Sequence, residues 1–76
     1  MAGAFAARIA VVDVKAVRAK TELSQGKFSR TYHIPASTLQ DWEQGRHRPG
    51  TGSVSLLKMI EADPKGVEKI LSKVNA

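Results

Sequence analysis

Ala36, Ser37, Gln40 and Asp41 are small or hydrogen-bonding residues at a spacing that a helix gathers onto one side. At about 100° per residue they fall within an arc of roughly 140°, and Leu39 and Trp42 point the other way. Such a face suits the edges of bases. Glutamine pairs with adenine, serine serves several bases, an alanine methyl meets the thymine methyl, and aspartate accepts from cytosine N4. Asp41 ranks below Ser37 and Gln40, because a carboxylate near phosphate is repelled; pairing with a nearby arginine is its other reading. An ordinary solvated face is the bland alternative for all four. A basic run, Arg46, His47 and Arg48 before Pro49, follows at once. Cations there, with Lys27 and Arg30, suit phosphate oxygens and raise affinity without reading sequence.

The elements that position these residues are marked by their punctuation. Pro35 is excluded from a helix interior but tolerated at a helix start. It opens a helix that Gly45 ends as a C-cap. Ser24 is the N-cap of a preceding short helix, with Phe28 and Tyr32 at i,i+4 on its inner face. Two short helices joined by a tight turn form a helix-turn-helix unit, whose second helix enters the DNA major groove. The start of the first of them, at Ser24 and Gln25, offers free N–H groups and a positive dipole end to an anion. Asp13 caps an earlier helix with Val14, Val17 and Thr21 on one face. The segment 47–53 has loop chemistry, with Pro49, Gly50 and Gly52. The helix after it turns inward either Val54, Leu57 and Ile60 or Leu56, Met59 and Ile60. Asp63 and Pro64 pair an N-cap with proline at the first helical position. They open a last helix with Val67, Ile70, Leu71 and Val74 as its apolar face. The expected fold class is all-α, a five-helix domain over 13–76. The arm over 1–12 is loose or strand-like. Its stretch 8–12 is either a strand paired with a second copy or an extended arm on the helices.

Bulk properties narrow the function. The 76 residues make one domain near the lower size limit for independent stability, where dimerisation helps. The net charge of +5 favours a polyanionic partner. Residues 13–49 hold seven Lys/Arg against four acids, and 50–76 hold four against three, so the excess lies in the helix-turn-helix half. Without cysteine there are no disulfides or thiolate metal sites. His33 and His47 lack a third ligand at useful spacing, so no metal site is expected, and both read as exposed turn residues. Paired carboxylates, a Ser/His/Asp set and a phosphate-cradling glycine loop are all missing, so neither enzymatic activity nor a cofactor is expected. The segment 50–52 is too short for such a loop and lacks the following lysine. The apolar N-terminus has no positive region before it, is interrupted by Arg8, and is too short to span a bilayer. The expected location is the bacterial cytoplasm, at the nucleoid.

The stretch 23–49 closely resembles the Xre-type (lambda-repressor-like) helix-turn-helix family. Leu23, Ser24, Gln25, Phe28, Thr38, Leu39, Trp42, Glu43, Gln44, Gly45 and Pro49 carry the likeness. It implies that Ser24 and Gln25 lie on the phosphate backbone, Gln25 matching a glutamine that contacts phosphate and base; Lys27, Arg30, Thr38, Arg46 and Arg48 complete the expected phosphate set. It also implies an ion pair between Arg18 and Glu43, which a guanidinium can grip with two parallel hydrogen bonds. Trp42, Phe28 and Tyr32 read as core rather than as stacking platforms. His33 stands where the family usually has glycine, because the turn needs positive φ, and Glu22 replaces another common glycine.

Over about residues 13–71 the chain looks like the small antitoxins of the HigA (NadS-like) group, with Pro49, Leu56, Leu57, Ile60, Asp63 and Pro64 continuing the pattern. That resemblance implies a homodimer on a palindromic double-stranded operator. It implies autorepression, and neutralisation of a RelE/HigB-like toxin that cuts mRNA. Family members often grip the toxin with a longer N-terminal arm; here a dozen residues precede the first helix. The expected dimer surface is Val11 and Val12 with Val67, Ile70, Leu71 and Val74. A stand-alone repressor without a toxin, or a protein-interaction module that has lost DNA binding, are the competing readings.

Overall fold

Three of the described helices start where a capping side chain accepts from a free N–H group of the first turn. The computed structural model describes residues 12–74. α1 spans Val14–Thr21, α2 Gln25–Tyr32, α3 Ala36–Gln44, α4 Thr51–Ala62 and α5 Pro64–Val74. Asp13 Oδ1 accepts from Ala16 N at 3.0 Å, Ser24 Oγ from Lys27 N at 3.1 Å, and Asp63 Oδ1 from Gly66 N at 3.0 Å. A Cβ on Gly66 would lie 2.2 Å from Asp63 Oδ2, so a larger residue there would have to displace the capping carboxylate. α3 and α4 depart from the pattern. Their caps are Pro35 and Gly50, which offer no side-chain acceptor.

Three helix ends use left-handed backbone. Gly45 follows α3 at φ 78°, with Gly45 N donating to Trp42 O at 3.3 Å and Arg46 N to Asp41 O at 2.9 Å. These two bonds are the Schellman pattern, which satisfies the last carbonyls of a helix. The other two ends carry side chains: Glu22 at φ 62° and His33 at φ 58°. Such a conformation costs an ordinary residue about 1–2 kcal/mol. Glu22 is exposed, so glycine there removes that cost. Added freedom in the unfolded chain offsets about 0.4–1 kcal/mol of the gain. Glu22→Gly is therefore expected to stabilise the domain by about 0.5–1 kcal/mol. Urea unfolding measures this, and a lower midpoint would contradict it.

The helices close around one core. Val14 and Val17 of α1, Phe28 and Tyr32 of α2, Ile34 of the turn, Leu39 of α3, and Leu57 and Ile60 of α4 are buried. α1 packs on α3 and α4, α2 on α3 and α5, and α4 on α5. The Phe28 and Tyr32 rings meet at 4.8 Å and an interplanar angle of 53°. Tyr32 OH donates to Pro64 O at 3.0 Å, tying the helix-turn-helix to the start of α5. Burial, and second the negative charge of Glu68, push the Tyr32 phenol above its usual value, which keeps it a donor. Lys20 Nζ donates to Glu61 O at 3.2 Å, placing a cation at the C-terminal end of α4.

Several expectations are resolved or corrected by packing. Thr21 is only half-buried on the α1 face. On α4 the inward set is Leu57 and Ile60, with half-buried Leu56 packed against the core beside them, so it draws on both expected sets. Met59 is 53 % exposed and does not belong to it. α5 contributes no fully buried residue. Val67 and Leu71, expected at a dimer surface, pack half-buried against the chain's own core, as does Val12. They do so because α5 must cover the α2 and α4 side chains beneath it. Ile70 and Val74 remain 61 % and 71 % exposed. The expected strand or arm over 8–12, with Val11, lies outside the described residues apart from Val12. Among the described residues no helix is long and apolar enough to cross a membrane, and no group of three or more His, Cys, Asp or Glu is placed to hold a metal ion.

Candidate nucleic-acid interface

The turn between α2 and α3 is three residues, His33, Ile34 and Pro35. Ile34 N donates to Ser29 O at 3.0 Å. The buried Ser29 hydroxyl closes the same turn by donating to Ile34 O. Ile34 itself plugs into the core at 5 % exposure. A turn held by two hydrogen bonds and a buried side chain is stiff, so the angle between α2 and α3 is set by packing and not by the chain's whim. Ser29 was not singled out from sequence. A serine within a helix looks neutral until its hydroxyl is seen to satisfy a buried carbonyl.

α3 is two-sided in the way its residue types imply. Ala36, Ser37 and Gln40 are exposed, Leu39 is fully buried, and Trp42 is half-buried against the core. Its inner side is further locked by charge. Arg18 Nε donates to Glu43 Oε2 at 2.7 Å and Arg18 Nη2 to Glu43 Oε1 at 3.1 Å, a two-pronged grip. Arg18 Nη1 also donates to Leu23 O at 3.0 Å, joining α1 to the residue before the α2 cap. The Glu43 side chain is 2 % exposed and that of Arg18 21 %. The Arg18 hydrogen bond holds the Glu43 carboxyl below the usual carboxylate range, against burial, which acts in the opposite sense; the Gln25 hydrogen bond adds to the lowering. The same bond raises Arg18 further above its already high value.

Gln25 Nε2 donates to Glu43 Oε1 at 3.1 Å, so Glu43 links three helices. One amide N–H and the carbonyl of Gln25 stay available to a ligand. Ser24 is exposed; its oxygen accepts the capping bond while its O–H can still donate outward. Lys27, Arg30, Arg46 and Arg48 are exposed, and Thr38 is half-buried. Both histidines are exposed, His33 ending α2 and His47 following α3. Asp41 is half-buried, and its carboxylate faces two side chains of the loop: the Arg46 guanidinium, with Nη1 at 3.6 Å, and the His47 ring, with Nδ1 at 3.4 Å. Of its two readings from sequence, the pairing with a nearby arginine is thus present in the free chain.

The arrangement can present a small polar helix face to base edges, with hydroxyl, amide and guanidinium donors beside it for phosphate oxygens. The same architecture occurs in known proteins. The chain is 44% identical to a protein from Agrobacterium tumefaciens whose crystal structure is described as an HTH XRE-family like protein. That likeness has a TM-score of 0.76 and covers 78% of this chain and 95% of the other. It is also 34% identical over 58 residues to the antitoxin HigA-2 of Vibrio cholerae. This match covers 76% of the present chain and 56% of the relative, so the chain spans about half the length of that protein. No family model matches the sequence. A five-helix domain with this turn, and with near-complete coverage of an Xre-type structure, has one assignment: the chain belongs to the Xre-type helix-turn-helix family.

Proposed function

We propose that this chain is a DNA-binding antitoxin that represses its own operon and neutralises a RelE/HigB-like mRNA-cleaving toxin. The observation that carries the DNA half is α3. Ala36, Ser37 and Gln40 are open to solvent, while Leu39 and the Arg18–Glu43 pair fasten the opposite side to the body. A reading helix must be rigid before it meets its target, because ordering it on contact costs affinity. In this reading α3 lies in the major groove. Ser37 and Gln40 contact bases, the Ala36 methyl meets a thymine methyl, and Ser24, Gln25, Lys27, Arg30, Thr38, Arg46 and Arg48 hold phosphates.

The operator is palindromic and the chain binds it as a dimer. Ile70 and Val74 are too exposed to serve the chain's own core, and α5 therefore supplies the apolar patch that a second copy covers. Val12, Val67 and Leu71, half-buried against the core, add their remaining exposed surface to the dimer contact. The likeness to the HigA-2 antitoxin supports the toxin half, and a cytoplasmic location at the nucleoid belongs to the same reading. The arm over 1–12 and the domain from 13 onward share the work, the arm serving protein contacts.

Selection of duplexes from a random library by the full chain tests the DNA half. Two half-sites are expected, with centres about one helical turn or 34 Å apart. Log affinity should fall linearly with log salt, at about 0.9 per phosphate contacted. Enrichment of no sequence over the starting library would refute it. Co-expression with the protein encoded beside the gene tests the toxin half. Relief of growth arrest and co-purification are expected. Selected binding without either would leave a stand-alone repressor.

A further inference from the structure

Asp41 lies on the same side of α3 as the exposed Ser37 and Gln40, yet its carboxylate is already engaged. Oδ1 is 3.6 Å from Arg46 Nη1 and Oδ2 is 3.4 Å from His47 Nδ1. The backbone carbonyl of Asp41 accepts from Arg46 N at 2.9 Å and His47 N at 3.4 Å, so the loop is folded onto this one residue. The two loop side chains are 68 % and 76 % exposed, and that of Asp41 31 %. A surface pair of this kind is worth at most about a fivefold factor in an equilibrium constant. It is weak enough to exchange when a duplex arrives.

We propose that Asp41 is a specificity-determining residue that stands in for phosphate and couples Arg46 to base reading. The inference rests on the DNA-binding reading above and assigns the control of one of its contacts. On random sequence Arg46 stays with Asp41 and makes no phosphate contact, while the carboxylate itself is repelled by the duplex. Where the base beside Asp41 is cytosine, the N4 amino group gives the carboxylate a replacement donor. Arg46 is then released to a phosphate oxygen. A contact that would otherwise be blind to sequence is withheld until the correct base is present. Specificity by this route needs an unfavourable element against wrong sites as well as a favourable one for the right site. Asp41 supplies both.

The test is a double-mutant cycle of Asp41→Asn and Arg46→Ala in the full chain. Affinity and its salt dependence are measured on the duplex that the wild-type chain selects and on a random duplex of equal length. Asp41→Asn is expected to tighten random-duplex binding by about two- to fivefold. It should also steepen the salt slope there by about 0.9, one phosphate contact's worth. The ratio of selected to random affinity should fall. In the Arg46→Ala background the slope should no longer change. A merely structural role for Asp41 would weaken both duplexes alike and leave the slope unaltered. Equal steepening with and without Arg46, or none in either, overturns the inference while the DNA-binding reading stands. Failure of the wild-type chain to prefer any duplex overturns that reading and the inference together.

Discussion

Arg18→Ala is expected to lower the stability of the domain by about 3 kcal/mol, at the lower end of the range for breaking a buried ion pair. The reason is the partner left behind. Glu43 is 2 % exposed, and without Arg18 its carboxylate keeps only the Gln25 amide. Truncation also removes the hydrogen bond to Leu23 O, which holds the entry to α2. For a domain of this size each kcal/mol lowers the melting temperature by about 4–8 °C, so a fall of roughly 12–24 °C is expected. Calorimetry or circular dichroism measures it, and a fall of under about 4 °C would show that the grip is not structural. Arg18→Lys should recover only part of the loss, because a point charge cannot match both carboxylate oxygens.

The same pair sets how stability responds to acid. Arg18 depresses the folded-state pKa of Glu43 relative to the unfolded value of about 4.3. The unfolded chain therefore binds the proton first as pH falls. The contribution is complete above that unfolded value and is lost as pH falls through the depressed folded value. Glu43→Gln removes this titration, so its stability should fall less steeply below about pH 4.3 than that of the wild type. A parallel fall in both would assign the acid response to other carboxylates. Arg18 rises from an already high value and has no bearing on this window.

Gln40→Ala carries the largest expected effect on recognition. A glutamine on an adenine edge is worth about 1–3 kcal/mol of discrimination, so affinity for the selected duplex should drop by about five- to 150-fold. Random duplex should bind as before, because the lost bonds go to a base. Arg48→Ala is the contrasting variant. It should weaken selected and random duplexes together and reduce the salt slope by about 0.9. Fluorescence anisotropy on both duplexes across a salt series separates the two. If Gln40→Ala weakened both duplexes alike, the α3 face would not be reading bases.

Much of the domain is legible residue by residue. Asp13, Ser24 and Asp63 cap α1, α2 and α5 because each carries an acceptor one turn ahead of free N–H groups, a relation that lives within four residues. Gly45 and Pro35 bound α3 for equally local reasons. The division of α3 into an exposed polar side and a packing side follows from helical spacing, and Leu39 and Ala36 lie on the sides that spacing assigns. Glu22 and His33 show the limit of local rules. Neither residue type asks for left-handed backbone, and His33 could be placed there only through the family's usual glycine. Ser29, Gly66 and the Tyr32 link to Pro64 carried no readable signal. Each depends on a partner's position that no spacing rule supplies.

What the amino-acid order by itself determined was the set of helices, their caps and the two-faced character of α3, since these arise from hydrogen bonds and periodicities spanning a few residues. Only the tertiary structure decided which face of α4 turns inward, how much of the apolar α5 is consumed by the core, and that Asp41 faces Arg46 and His47 before any duplex is present. Those outcomes turn on which surfaces compete for the same partner. The competition is settled by the three-dimensional arrangement of helices α1 to α5 at once.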